Sequence, residues 1–248
     1  QMIARFNIDT NRIIVGGGSQ GVHAACELVG LRPTFFAAAT VASGSKGSVS
    51  ASTIKHVPFW AACAKDDSGI TATRSLVRSL RLAGGEVVFT EYDSGGHLGG
   101  VLMWCRTPAM NAWGLAQRRG QPSTAAPLLT ITSPTAEPVY RTGATTLSLV
   151  GTAAALGQPI AQVTWTNFAN NARGVASGSN AWSVAGIPLY PNRTNLIIVV
   201  GSTTSWASAY GGNTSFNETI SGVQSAIPLR ATIALQGTNI LLNWTGGW

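Results

Sequence analysis

Arg12-Ile-Ile-Val-Gly-Gly-Gly-Ser-Gln-Gly21 runs a β-branched apolar segment straight into the pentapeptide Gly17-Gly-Ser-Gln-Gly21. The helix-like segment Val22-His-Ala-Ala-Cys-Glu-Leu-Val29 follows it. Strand, tight turn and helix in that order, with G-x-S-x-G at the turn, make a nucleophile elbow. The turn pushes Ser19 outward, so small residues are expected two positions to either side, and glycine also tolerates the backbone that such a turn needs. The helix N-terminus directs free N–H groups at the serine, and the N–H of Gln20 is placed to hold an oxyanion. With 29 glycines in the chain, the pentapeptide alone says little; its context between strand and helix carries the reading.

A nucleophilic serine needs a base and a group that orients the base, in the chain order Ser, Asp or Glu, His for an α/β-hydrolase. Val57-Pro-Phe-Trp-Ala-Ala-Cys63 reads as a buried strand that empties into Ala64-Lys-Asp-Asp-Ser-Gly69. Glu86-Val-Val-Phe-Thr-Glu-Tyr92 reads as another, emptying into Asp93-Ser-Gly-Gly-His97. Serine, acid and histidine thus all follow strand C-termini, the edge of an open parallel sheet where sites assemble. Asp66 and Asp67 are both available, although paired aspartates in a turn are commonly solvated turn formers. Of the three histidines, His23 falls on the helix after the serine and His56 precedes a strand, whereas His97 sits between Gly95-Gly96 and Gly99-Gly100. His97 is therefore the candidate base, expected on a glycine-rich loop.

Asn7-Ile-Asp-Thr-Asn-Arg-Ile-Ile14, Val57-Pro-Phe-Trp60, Leu80-Arg-Leu-Ala-Gly-Gly-Glu-Val-Val-Phe-Thr-Glu-Tyr92 and Gly95-Gly-His97 together resemble secreted esterases of the polyhydroxyalkanoate-depolymerase and feruloyl-esterase type. These are related to prolyl-oligopeptidase-type hydrolases. The resemblance covers residues 1–120 and implies Ser19 as nucleophile, His97 as general base and Asp67 as the orienting carboxylate. The family's His-Gly before the acid is replaced by Cys63-Ala64, and its glycine after G-x-S-x-G by Val22. In the family, further strands and the loop giving the second oxyanion N–H precede the elbow. The resemblance therefore implies the C-terminal portion of a catalytic domain, with Ile13, Ile14 and Val15 on an open sheet edge.

Composition changes after residue 120, beyond which only Arg141, Arg173, Arg193, Arg230, Glu137 and Glu218 are charged. Residues 120–127 read as a Pro/Ser/Ala linker. Short alternating strands follow at Leu128–Thr132, Thr146–Val150, Ile160–Trp165, Asn180–Val184, Asn195–Val200 and Thr214–Ile220. This pattern predicts an immunoglobulin-like β-sandwich over residues 128–226, with Trp165 and Trp182 as inter-sheet anchors. Residues 227–248 read as the opening of a further, truncated β-module. The segment also resembles the immunoglobulin-like repeats appended to bacterial secreted hydrolases.

The expected fold is therefore α/β, a parallel sheet lacking its N-terminal strands over residues 1–119, plus an all-β sandwich. The expected function is a serine esterase acting on polyester or acylated-polysaccharide esters through a Ser19–His97–Asp67 acyl-enzyme mechanism, in a secreted bacterial protein. Two alternatives stand beside it: a serine peptidase of the same fold, and a non-catalytic surface or adhesive protein with a degenerate hydrolase remnant. The β-module offers contact with polysaccharide or a cell surface, in one version through exposed Trp182 or Trp206. The formal charge of +7 is scattered as single residues, with only Arg118-Arg119 adjacent, and no nucleic-acid motif accompanies it. No metal-ligand spacing, cofactor motif or apolar stretch of membrane-spanning length is visible. Cys26, Cys63 and Cys105 read as buried thiols, with Cys26–Cys105 the pair left open to a disulfide.

Overall fold

The computed structural model describes the chain apart from residues 1–4, 122–127, 138, 156–158, 204–212, 226–229, 237–238 and 246–248. Its first part is a parallel sheet of β1 (Ile14–Gly18), β2 (Ala38–Ala42), β3 (Phe59–Ala64) and β4 (Val87–Tyr92), in chain order. Among the described residues, it is accompanied by the helices α1 (Gln20–Leu31), α2 (Ala51–Ile54), α3 (Ile70–Leu82), α4 (Gly96–Arg106) and α5 (Pro108–Ala116). A parallel sheet covered on both faces requires strands that are apolar throughout, and every residue of Phe59–Ala64 is buried. Phe59, Ala61 and Cys63 join Val22, Cys26 and Val29 of α1 and Leu76, Val77 and Leu80 of α3 in one core. Trp60, Ala62 and Ala64 turn the other way, toward Met103 of α4 and Met110 and Trp113 of α5. There Trp60 stacks edge-to-face on Trp113 with ring centroids 5.5 Å apart, and its indole N–H donates to Thr90 Oγ1 at 2.9 Å.

The C-terminal part is antiparallel. β5 (Leu128–Ser133), β7 (Thr146–Ala154), β11 (Ala181–Pro188) and β10 (Ser177–Gly178) form one sheet in the order β10-β11-β7-β5. β8 (Ile160–Asn167), β9 (Ala172–Val175), β12 (Thr194–Thr203) and β13 (Asn213–Ser225) form the other, and β6 (Val139–Thr142) pairs parallel with β13. β7 alternates strictly between exposed and buried residues, as a strand with one solvated face must. Leu149, Trp182 and Ile187 of the first sheet share a core with Val163, Ile197 and Val199 of the second. β14 (Arg230–Gln236) and β15 (Asn239–Thr245) form a separate hairpin.

Two features differ from the sequence reading. β2 was not expected, and β6, β9 and β10 add short strands between those that were. More consequentially, the two halves are joined by hydrogen bonds: Asn213–Ser215 of β13 pair antiparallel with Glu91–Phe89 of β4. The parallel sheet therefore continues into β13, β12, β8 and β9, and with β6 paired to β13 it has nine strands. Trp182 is 1% exposed, which fits a core anchor and overturns its use as a sugar platform; Trp165 packs half-buried against the same core. Trp206 lies outside the described residues.

Candidate active site

β1 ends at Gly18, and Ser19 takes φ 55° and ψ −120° before α1 begins at Gln20. A non-glycine residue in this region carries a cost on the order of 1–3 kcal/mol that surrounding contacts must offset. They do so from two sides. The Ser19 N–H donates to the Ala42 carbonyl of β2 at 2.9 Å, and the Val22 N–H donates to the Ser19 carbonyl at 3.1 Å. A Cβ on Gly17 would collide with the Gly21 carbonyl, and one on Gly44 would collide with the Ser19 carbonyl. Close approach therefore requires glycine at Gly17, whereas a Cβ on Gly21 would meet open space. Only one of the two flanking glycines is sterically demanded, which corrects the symmetric reading of the motif.

His97 lies in the first turn of α4, just past Gly95 (φ 138°) and Gly96 (φ 57°). The expected loop is thus the start of a helix. His97 Nε2 is 2.9 Å from Ser19 Oγ, and Nδ1 is 3.1 Å and 3.2 Å from the two carboxylate oxygens of Asp67. Facing an ionised carboxylate, Nδ1 carries the proton and donates it; Nε2 is then bare and accepts from the Ser19 hydroxyl. The Asp67 side chain is fully buried while that of His97 is 47% exposed, so the imidazole keeps an open edge and the acid is sealed.

Burial opposes ionisation of Asp67, but its carboxyl is nonetheless held below the ordinary aspartate range. The Gly69 N–H donates to it at 2.7 Å, and Ser43, His97 and Cys63 add to the effect. Cys63 Sγ donates to Asp67 Oδ2 at 3.3 Å; desolvation pushes this thiol up to about 11, which keeps the proton on sulfur. A thiol donor under the acid thus stands where the family resemblance would place His-Gly.

The neighbouring carboxylate is used as well. Asp66 accepts from the Gly95 N–H at 3.2 Å and the Gly96 N–H at 2.8 Å, and these bonds hold its pKa down. Lys65 Nζ reaches Asp93 Oδ1 at 2.6 Å. Three consecutive residues, Lys65, Asp66 and Asp67, therefore each grip the segment 93–97. Asp66 is more than a solvated turn former: it fixes the backbone from which His97 projects.

The loop after β2 is the other part that the sequence reading missed. Ser43 (φ 57°) and Gly44 follow Ala42. The Gly44 N–H donates to Thr73 Oγ1 at 3.1 Å, tying this loop to α3. The mostly small and apolar stretch Phe35-Phe-Ala-Ala-Ala-Thr-Val-Ala42, bounded by Pro33 and Ser43-Gly44, is a weak signal for it. Gln20 opens α1, where backbone N–H groups have no intrahelical acceptor. His23 pairs with Glu27 along α1 at 3.2 Å, and His56 is exposed after α2; neither lies in the Ser19–His97–Asp67 chain of contacts. All three cysteines are free, with Cys26 and Cys63 buried and Cys105 exposed, so the Cys26–Cys105 disulfide is not formed.

No protein-family model matches the chain, and none of the curated proteins matches it. Among solved structures it is similar to a thermostable esterase, with 29% identity over 47% of this chain and a TM-score of 0.43. The chain thus spans 34% of that esterase's length. A modular endo-β-1,4-mannanase from Cellulomonas fimi is matched over 85% of this chain and 53% of its own, at 12% identity and a TM-score of 0.24. An engineered protein is matched at 10% identity over 77% of this chain and 49% of its own, with a TM-score of 0.27.

Proposed function

We propose that Ser19, His97 and Asp67 are the catalytic triad of a serine ester hydrolase. One observation carries the reading: residues that follow three strand ends at one sheet edge form a continuous relay of 2.9 Å and 3.1 Å contacts from hydroxyl to imidazole to sealed carboxylate. In the reaction, Ser19 Oγ attacks the ester carbonyl while His97 Nε2 takes its proton. The Gln20 N–H, at the positive end of α1, holds the oxyanion of the tetrahedral intermediate. Collapse breaks the ester C–O bond, and Nε2 returns the proton to the departing alkoxide, leaving an acyl group on Ser19. Water then attacks the acyl carbon as Nε2 takes its proton; the acid departs, and Ser19 regains its hydrogen from Nε2. Asp67 stays ionised throughout and stabilises the transient imidazolium.

The substrate in this reading is an ester of a polyester or an acylated polysaccharide. The protein is secreted, and the β-strands after residue 128 form an immunoglobulin-like module that brings the catalytic part to a polymer or cell surface. The same triad serves peptide bonds, so ester and amide substrates belong side by side in the test. A fluorophosphonate probe should label the folded chain and leave Ser19→Ala unlabelled. Turnover of p-nitrophenyl acetate but not of a peptide anilide would favour the esterase over the peptidase. A folded chain that resists labelling would sink the catalytic reading.

A further inference from the structure

Where β13 splices the two sheets, a cleft of about 350 Å³ opens between α3 and the outward faces of β12 and β8. One wall comes from a single stripe of α3, Arg74, Arg78 and Arg81, spaced so that their side chains stack along one helix face. The floor is apolar, with Phe89 of β4 and Ile198 and Val200 of β12; Phe168 closes the far side. Ile198 points away from the sandwich core yet is only 4% exposed.

Among the described residues that line the cleft, three guanidinium groups stand beside one carboxylate, Glu91, and that carboxylate is engaged by Arg74 at 2.6 Å. Arg81 is desolvated enough to be pushed down to about 10, with Glu91 offsetting part of the effect. Arg78 Cζ lies over the Phe168 ring, 5.7 Å from its centroid. Among the described residues, Arg78 has no carboxylate partner. A cation–π contact uses none of the guanidinium's N–H donors, so its fork stays available to a carboxylate. A pocket of this size, mainly apolar with a few convergent charges, is the usual form of a small-ligand site.

We propose that this cleft binds an amphipathic carboxylate, its head on Arg78 and its aliphatic body along Phe89, Ile198 and Val200. No triad residue lines the cleft, so the site is separate from the chemistry at Ser19 and does not depend on it. A fatty acid of medium chain length meets the description, with one anionic head and an apolar body short enough for the volume.

The test is isothermal titration of the full chain with octanoate, against acetate (head without body) and 1-octanol (body without charge). The expected result is octanoate binding at least tenfold tighter than either control, weakened tenfold or more by Arg78→Ala, as loss of a charge-assisted contact implies. Arg78→Lys should recover part of the loss. Ser19→Ala and Arg32→Ala, the latter a remote exposed cation, should leave the affinity unchanged. Arg78 is exposed, so its variants are expected to fold, and circular dichroism verifies this. Equal binding of octanol, an affinity indifferent to Arg78→Ala in a folded chain, an equal loss in Arg32→Ala, or no octanoate binding at millimolar concentration would each overturn the proposal.

Discussion

Asp66 and Asp67 hold different parts of one segment: Asp67 accepts a hydrogen bond from His97 Nδ1–H, and Asp66 accepts from the two backbone amides that precede it. Their substitutions should therefore separate. Asp67→Asn presents an amide that can stabilise the wrong imidazole tautomer, and turnover should fall on the order of 10³–10⁴-fold. Asp66→Asn keeps an acceptor but loses its charge; a drop of about tenfold is expected, since a charge-assisted bond is roughly twice as strong as a neutral one. Parallel rates of fluorophosphonate labelling would check both. Asp67 also sets a pH dependence of stability. Its folded pKa lies below the ordinary value of 3.8, so the stabilisation is present above that value and lost as pH falls through the lower folded one. Thermal midpoints should decline across that acid window, and Asp67→Asn should decline less. The Ser19, Asp67 and His97 cluster was legible in the sequence because each residue follows the C-terminal end of a strand and differs chemically from its surroundings. Asp66 was not, because its partners are backbone amides, which no residue pattern records.

At the level of elements, β1, β3 and β4 were legible from β-branched or continuous apolar runs that end in polar turns. β2 was not, because Ala38-Ala-Thr-Val-Ala42 consists mostly of small residues with both faces covered, and a buried parallel strand shows no alternation. Yet β2 provides the carbonyl that holds the Ser19 N–H. The elbow itself makes a paired prediction. Gly17→Ala drives a Cβ into the Gly21 carbonyl and should destabilise by about 1–3 kcal/mol, the usual cost of overpacking. Gly21→Ala, in α1 with open space before it, should be neutral or stabilise by about 0.5–1 kcal/mol through helix propensity. Urea unfolding of the two variants would distinguish them; similar losses would mean the turn is less tightly drawn.

For the whole molecule, the pairing of β4 with β13 was illegible because local pattern carries no information about which distant strand covers an edge. One hydrophobic cluster runs from Trp60 and Trp113 through to Trp182 and Ile197, in step with the continuous sheet. Calorimetry should therefore give one unfolding transition for both halves. Two resolved transitions would mean that the spliced ladder contributes little. The splice also has a meaning in time. A chain emerges from its N-terminus, so Phe89, Thr90 and Glu91 are made long before their partners Ser215, Thr214 and Asn213. Until those arrive, the β4 edge stands open to any other strand, and the slowest step of folding is expected to be the return of the chain to close it.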